Sequence, residues 1–375
     1  MKIAFVLDDS LDKADGVQQY ILTLGRWMSG DGHQVHYLVG ETKRTDIPRV
    51  HSLSRNLQAH FNQNRMSTPL PASRAKIKTL LEKEDFDVIH VQMPYSPFLA
   101  GRIIKAAPAR AAVVGTFHVI PYSLVERIAT RALRVALRRS IQRFDAIYSV
   151  SKPAQRFAKK AFKVKSVIIP NVVALSHFQS GKKPRRYHDD KLNIVFLGRL
   201  VERKGCLHLL KALQYLNDRN ELQRVRVLIC GKGPLQADLE RFARNHRLKH
   251  HVKFLGFVDE DDKPGYLATA DIAVFPSTGG ESFGIVLIEA MAAGAKVVLA
   301  GNNIGYAAVM AGHKDQLVNP VDTKAFAKTL KHFMDNYRAR RHASLWQAEH
   351  VAQYDVRRVG QQLADSYQSA IAKRP

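Results

Sequence analysis

Short apolar runs alternate with segments of helical periodicity along the whole chain, the pattern of a parallel-sheet α/β architecture. In the first half the predicted strands are Ile3–Leu7, Val35–Val39, Val88–Val91, Ala112–Gly115, Ala146–Val150 and Val167–Ile169. Helices fall between them, among them Val17–Ser29 and Ser73–Lys83. The segment Gly181–Asp190 is polar, holds Gly and Pro and lacks periodicity, so it is predicted to be a linker. The pattern then restarts with Ile194–Leu197, Val225–Cys230, Val252–Leu255, Ile272–Phe275, Lys296–Leu299 and Gln316–Val318. Two doubly wound, Rossmann-like domains are therefore expected, residues 1–180 and 181–354. A last helix, about Ser344 to Ala372, is long enough to return to the first domain, with residues 355–375 packing there. Two such sheets facing each other across a cleft would hold one ligand on each side, at the carboxyl ends of the strands.

A length of 375 residues suits two domains, and 46% hydrophobic with 24% charged residues is an ordinary globular balance. Cys206 and Cys230 are the only cysteines; they give neither a disulfide framework nor zinc spacing and fit a reducing compartment. Met1 to Asp8 lacks the long apolar region of a signal peptide and reads as a first strand. The longest apolar stretch, Phe283 to Gly301, contains Glu289 and Lys296 and is better read as a buried helix and strand than as a membrane span.

Charge changes this picture. The net charge is +25, and it is unevenly spread. Residues 1–99 hold 12 Lys/Arg against 11 Asp/Glu, whereas residues 100–165 hold 15 against 2. Such a concentration implies an anionic partner: acidic lipid, nucleic acid or a phosphorylated substrate. Within it, Ser123 to Phe144 places Arg127, Arg131, Arg134 and Arg138 on one helical stripe, widened by Arg139 and Arg143, with an apolar stripe of similar spacing. A basic amphipathic helix is a membrane-surface element; a helix packed on the sheet with a solvated basic face has the same pattern. Counting the whole basic segment favours an anionic membrane surface. Nucleic acid is disfavoured, because interleaved aromatics and a recognition motif are lacking.

The densest chemistry lies in Glu281-Ser-Phe-Gly-Ile-Val-Leu-Ile-Glu289. A helix is predicted from about Phe283, with Ser282 as N-cap and Gly294 as its C′ residue. Its start is an anion site, and the preceding Thr278-Gly279-Gly280 permits close approach of a phosphate. Two carboxylates on either side of a phosphate suit a nucleotide-sugar. Gly198-Arg-Leu-Val-Glu-Arg-Lys-Gly205 frames Arg199 and Lys204 between glycines at a strand–helix junction, where a diphosphate could lie. Gly231-Lys-Gly233-Pro234 is not a P-loop; a tight turn is the better reading, with a supporting role beside a base as the other. Gly16 opens the first helix and is either a close-approach glycine or an ordinary loop residue. His118 ends the strand in Gly115-Thr-Phe-His118, and its position rather than its type makes it a candidate; His90 reads more as a satisfied core histidine. Asp85-Phe-Asp87 precedes a strand rather than ending one, so it is rejected as a metal site, and none is expected.

Together these segments resemble the retaining glycosyltransferases of family 4, which have the two-domain GT-B fold. The matching stations are the Gly16 loop, Gly115-Thr-Phe-His118, Val150-Ser151, Ile169-Pro-Asn171, Gly198-Arg199 with Lys204-Gly205, Gly231-x-Gly-Pro234, Phe254-Leu-Gly256 and the two glutamates. The histidine after Gly-Thr-Phe and the basic helix resemble the bacterial phosphatidylinositol mannosyltransferase type. The resemblance implies an acceptor-side first domain, a nucleotide-sugar-binding second domain and transfer of a mannose- or glucose-type hexose from a GDP- or UDP-linked donor to a lipid or lipid-linked acceptor. A soluble or polysaccharide acceptor is the alternative, and a nucleic-acid-binding protein a distant one. It further implies that Arg199 and Lys204 hold the diphosphate and assist its departure, that Glu281 contacts sugar hydroxyls and Glu289 the ribose. Ser282, Phe283, Gly284 and Ile285 would line the phosphate site, with Gly231 and Gly233 nearby. His118 would orient the sugar, and Gly16 would let its loop close on the donor. The family needs no metal or cofactor and works at the inner face of the plasma membrane. Asp15-Gly16 replaces the usual glycine pair, and Val172-Val-Ala174 replaces the usual Gly-Val-Asp.

Overall fold

In the computed structural model, residues 1–12, 15–61, 64–69, 72–120, 133–135, 137–310 and 312–374 are described. The chain forms two compact units, Met1–Val172 with Val356–Pro375, and Val173–Asp355.

The first unit contains β1 (Lys2–Leu7), β2 (Gln34–Val39), β3 (Val50–Ser52), β4 (Asn56–Phe61), β5 (Asn64–Pro69), β6 (Val88–Gln92), β7 (Ala112–Phe117), β8 (Ala146–Ser149) and β9 (Val167–Ile168). Seven of them form one sheet in the order β3-β2-β1-β6-β7-β8-β9, with every pairing parallel. Ile3 to Leu7 and Val88 to Val91 are buried throughout, because helices cover both faces of such a sheet and leave no side for polar alternation. The antiparallel pair β4 and β5 and the edge strand β3 were not anticipated. Val50–Ser52 and Asn64–Pro69 hold one apolar residue each, too few to give a strand signal, whereas Asn56–Phe61 does alternate Leu57, Ala59 and Phe61 with polar residues, a signal that was not picked out.

The helix Val356–Ile371 belongs to this unit. Trp27, from the helix Gly16–Gly30, lies where a side chain at position 360 would stand, so only a glycine fits there. Tyr367 is fully buried and its hydroxyl reaches His90 Nδ1 at 2.5 Å. The predicted single helix from Ser344 is two helices, Tyr337–Val351 and Val356–Ile371. The break falls at Tyr354-Asp355, where Val173 N–H bonds Tyr354 O at 2.9 Å and Val173 bridges Asp355. Pairing with an extended segment takes those residues out of the helix.

The second unit holds β10 (Leu192–Leu197), β11 (Val225–Cys230), β12 (Val252–Gly256), β13 (Ile272–Phe275), β14 (Val298–Gly301) and β15 (Leu317–Val318). Their order is β12-β11-β10-β13-β14-β15, again all parallel. Two Rossmann-like parallel sheets, as expected, make up the fold. The order reverses between β10 and β13, so the loops after these two strands diverge around a topological switch point. The segment Gly181–Asp190 lies inside the second unit, with Tyr187 buried and Gly181 tight against Pro264. The chain passes from one unit to the next earlier, at Val172/Val173.

Of the predicted basic helix, Arg127 and Arg131 lie outside the described residues. The described part includes the short helix Arg138–Ile141, with Leu137 and Ser140 buried, Arg134 half-buried and Arg138 and Arg139 exposed. Arg143 does not face outward with them. It bonds the carbonyls of Pro108 (2.8 Å) and Ala111 (3.0 Å), tying this segment to the loop before β7. No described helix is long and apolar enough to cross a membrane.

Candidate active site

The loops leaving β10 and β13 meet around one carboxylate. Glu281 Oε1 accepts hydrogen bonds from Arg203 Nη1 (2.7 Å), Lys204 Nζ (2.7 Å) and Ser277 Oγ (3.1 Å). Burial pushes the Glu281 pKa up, but Lys204 and Arg203 outweigh it and hold the carboxyl below its usual range. Two cations against one anion leave about one net positive charge at the switch point, which suits an incoming anion.

The loops are knitted together by backbone as well as charge. The single Ser277 hydroxyl proton is shared between Glu281 Oε1 and Arg203 O (2.9 Å), Thr278 N–H donates to the same carbonyl (2.9 Å), and Asn303 Nδ2 donates to Ser277 O (3.0 Å). Gly205 closes the Glu202–Lys204 turn at φ +76, and any β-carbon there would overlap Pro276 O. Close packing thus fixes the height at which Lys204 leaves the loop. Arg203 was not singled out from sequence, although it lies within the Gly198–Gly205 motif; Lys204 was, and is brought onto Glu281. Arg199 stands half-buried at the end of β10.

The helix after this loop is Ile285–Ala292, not a helix from Phe283. Gly284 rather than Ser282 occupies the N-cap position, at φ +110, a conformation that L side chains avoid. A β-carbon at 284 would also come within 2.5 Å of the buried Tyr306 ring. Leu287 N–H turns back onto Gly284 O at 3.0 Å, so the N–H groups of Ile285 and Val286 are the ones that helix geometry leaves without an intrahelical acceptor, at the positive end of the helix dipole. Phe283 is buried edge-on against Tyr354 at 5.4 Å, which sets the approach of the chain to that turn. Gly294 is left-handed (φ +82) and ends the helix, with Ala295 N–H returning to Ala290 O, as expected of the C′ residue.

Glu289 is in the second turn of this helix and buried. Its Oε1 accepts from Lys263 Nζ at 2.8 Å, and the same ammonium reaches Glu260 at 2.7 Å. Burial alone would lower the Lys263 pKa, but the two carboxylates more than reverse it and keep it protonated. Glu289 is the deeper of two carboxylates sharing one cation, and burial raises its pKa despite Lys263. Gly231 and Gly233 lie in the loop after β11, where β-carbons would overlap Gly198 O and Leu200 O. They let that loop pack on the one carrying Arg199.

In the first unit the equivalent strand ends hold His118 and Gly16. His118 follows β7, is buried, shares a 2.7 Å hydrogen bond between Nε2 and Gln92 Oε1, and meets the Tyr20 ring edge-on at 4.8 Å. Burial pushes its pKa down to about 3, with an Asn171 interaction acting the other way, so the ring is neutral at physiological pH. Gly16 is exposed at the start of the helix Gly16–Gly30. His90 is a core residue, as read: Nδ1 is bonded to Tyr367 and Nε2 to Thr116 at 2.7 Å. Asp85 caps the helix Arg74–Glu84 and pairs with Arg110, while Asp87 accepts from Lys2 N–H at 2.6 Å. Both precede β6, the amino end of the strand, where that pair was placed.

Residues 14–177 match the family model described as Glycosyltransferase Family 4, and residues 179–345 the model described as Glycosyl transferases group 1. The chain is 31% identical over 372 residues to a phosphatidyl-myo-inositol mannosyltransferase of Mycolicibacterium smegmatis, covering 98% of this chain and 94% of that one. It is 34% identical over 301 residues to the protein of that name from Mycobacterium tuberculosis, covering 80% of this chain and 77% of that one. Among solved structures, sucrose-phosphate synthase from Thermosynechococcus elongatus aligns with a TM-score of 0.78 at 19% identity, covering 99% of each chain. HepE from Anabaena in complex with UDP aligns at 0.77 and 21%, covering 98% of this chain and 100% of that one. These two likenesses establish the GT-B fold. With relatives above 30% identity over almost the full length, the chain belongs to glycosyltransferase family 4, and it is a nucleotide-sugar-dependent glycosyltransferase.

Proposed function

We propose that this glycosyltransferase moves a mannose- or glucose-type hexose, with retention of configuration, from a GDP- or UDP-linked donor to a membrane lipid or lipid-linked acceptor. The observation that carries the donor side is the buried Arg203–Glu281–Lys204 cluster beside an uncapped helix start. In this reading the donor diphosphate lies against the first turn of the helix Ile285–Ala292 and draws Lys204, the more exposed of the two cations, toward its oxygens. Arg199 and Lys204 then stabilise charge as the nucleoside diphosphate leaves. Glu281, released in part from Lys204, accepts from the sugar hydroxyls, and Glu289 from the ribose. Gly231 and Gly233 shape the base side, and the neutral His118 orients the sugar. No metal enters this scheme, because fixed cations supply the charge compensation.

The lipid acceptor rests on the relatives, which are named for mannosyl transfer to phosphatidyl-myo-inositol and match this chain over nearly its whole length. The excess of Lys/Arg between residues 100 and 165, with Arg138 and Arg139 exposed, supports contact with an anionic bilayer at the cytoplasmic face of the plasma membrane. Incubation of the protein with radiolabelled GDP-mannose or UDP-glucose and phosphatidylinositol-containing vesicles tests the reading. Label partitioning into the organic phase supports a lipid acceptor. Donor turnover that persists with label only in the aqueous phase, together with failure to float with the vesicles at low salt, would replace it with a soluble acceptor.

A further inference from the structure

At the amino-terminal edge of the first-unit sheet, away from the strand ends that carry His118, three metal-ligating side chains converge. His36 is in β2, His51 is the middle residue of the edge strand β3, and Glu84 closes the helix Arg74–Glu84. The parallel pairing of Leu38 with His51 brings the two histidines to one face. Their rings stack at an interplanar angle of 1°, with His36 Nδ1 2.9 Å from His51 Nε2. His36 Nε2 points the other way, 3.8 Å from Glu84 Oε2. One ligand atom from each of the three residues lies within 4.8 Å of the other two.

Hydrogen bonds account for His36 Nδ1, held to His51 Nε2, and for Glu84, held by Lys2, but not for His36 Nε2. His36 is 3% exposed, and its Nε2 is buried without a hydrogen-bond partner among the described residues. The separation from Glu84 is too long for a hydrogen bond. It is close to the ~3.3 Å between two ligand atoms about 2.0–2.1 Å from a tetrahedral zinc ion. Burial favours the neutral form of both imidazoles, which is the form that ligates. A donor set of two imidazoles and one carboxylate is that of zinc-class ions with a water in the fourth position.

We propose that His36, His51 and Glu84 bind a divalent transition metal of the zinc class, clamping the edge strand β3 to β2 and to the helix Arg74–Glu84. The His51 ring moves inward on binding, which a three-residue edge strand permits. The site has a built-in competitor. Lys2 Nζ lies 3.2 Å from Glu84 Oε2, and the charges of Arg49 and Lys83 also face the histidines. The ion therefore displaces Lys2 from Glu84, and removal of that ammonium strengthens binding.

The test uses full-length, untagged, metal-free protein titrated with cobalt(II), read by the visible absorption of four-coordinate cobalt, with zinc uptake measured by equilibrium dialysis. A single saturable ion per chain is expected. His51→Ala and Glu84→Gln each lower its affinity by more than about tenfold, and Lys2→Met raises it. Circular dichroism and nucleotide-dependent thermal stabilisation stay as in the wild type, because none of these residues belongs to the donor site. Absence of stoichiometric uptake by the wild-type protein overturns the proposal, as does uptake unaltered in either His51→Ala or Glu84→Gln.

Discussion

Lys204 Nζ and Glu281 Oε1 lie 2.7 Å apart although 77 residues separate them in the chain. The contact joins the loops that follow β10 and β13, the two strands at which the sheet order reverses. With Arg203 on the same oxygen, Glu281 holds two cations ready at the place where an α/β sheet binds its ligand.

Glu281→Gln leaves Arg203 and Lys204 facing each other without a counter-charge. The expected loss of stability is about 3–5 kcal/mol, read from chemical denaturation. Adding Arg203→Met to Glu281→Gln restores part of that loss, because the double variant no longer buries an uncompensated guanidinium. Strictly additive losses in the two single variants would show that the residues are not coupled.

Lys204→Ala preserves the Arg203–Glu281 bond and so keeps the fold. Its effect is on the donor: kcat/KM for sugar transfer falls by about 10²–10³-fold, the scale of losing one fixed charge that stabilises a leaving group. A circular dichroism spectrum unchanged from wild type separates this from unfolding.

Gly284→Ala meets two obstacles, the left-handed backbone and the Tyr306 ring. The backbone conformation alone costs about 1–3 kcal/mol, and the helix start that would hold phosphate shifts. Donor affinity, measured by calorimetry, falls accordingly. Tyr306→Ala in the Gly284→Ala background relieves the steric part but not the backbone part, so recovery is partial.

Acid destabilises the first unit through histidines buried in the neutral form. For His118 the folded pKa, about 3, lies below the usual 6.5, and His90 is lowered in the same direction. Between these values the unfolded chain binds more protons than the folded one, so each residue makes stability fall as pH drops below about 6.5, with a slope approaching ~1.4 kcal/mol per pH unit. Asp8 works against them. Burial raises its pKa to about 6, so between about 6 and 3.8 the folded state is the one that holds the proton. Unfolding midpoints measured from pH 7 to 4 should therefore fall, more steeply in Asp8→Asn and less steeply in His118→Asn.

Tyr367→Phe removes the hydroxyl that meets His90 Nδ1 and leaves that buried nitrogen without its partner. A loss of about 1–3 kcal/mol follows, observable as a lowered Tm. The same substitution tests how firmly the C-terminal helix is seated in the first unit, since Tyr367 is its fully buried anchor.

Much of this was legible in the sequence because strands buried on both faces of a parallel sheet must be apolar along their whole length. Val225–Cys230 and Ile272–Phe275 are read to the residue for that reason. Polar strands such as Asn64–Pro69 carry no such mark. At the site, Glu281 and Lys204 could be picked out by residue type and by their framing glycines. Arg203 could not be told from Arg199, because the direction of each side chain depends on the turn Glu202–Lys204 and on Gly205 against Pro276. Lys263, the partner of Glu289, carries no motif at all; only the packing of the helix Lys263–Ala268 brings it there. The final helix was read as continuous because a break made by pairing with Val173 leaves no glycine or proline at Ala352 to Asp355.

The most direct test of the donor site is release of nucleoside diphosphate from a panel of GDP- and UDP-sugars in chelator-treated buffer, with phosphatidylinositol vesicles present, by wild-type protein and by Lys204→Ala and Glu281→Gln. One donor turned over by the wild type, with both variants slowed by at least about 10²-fold, is the expected result. Turnover of a donor at equal rates by all three proteins would contradict the assignment of the Arg203–Glu281–Lys204 cluster to the donor.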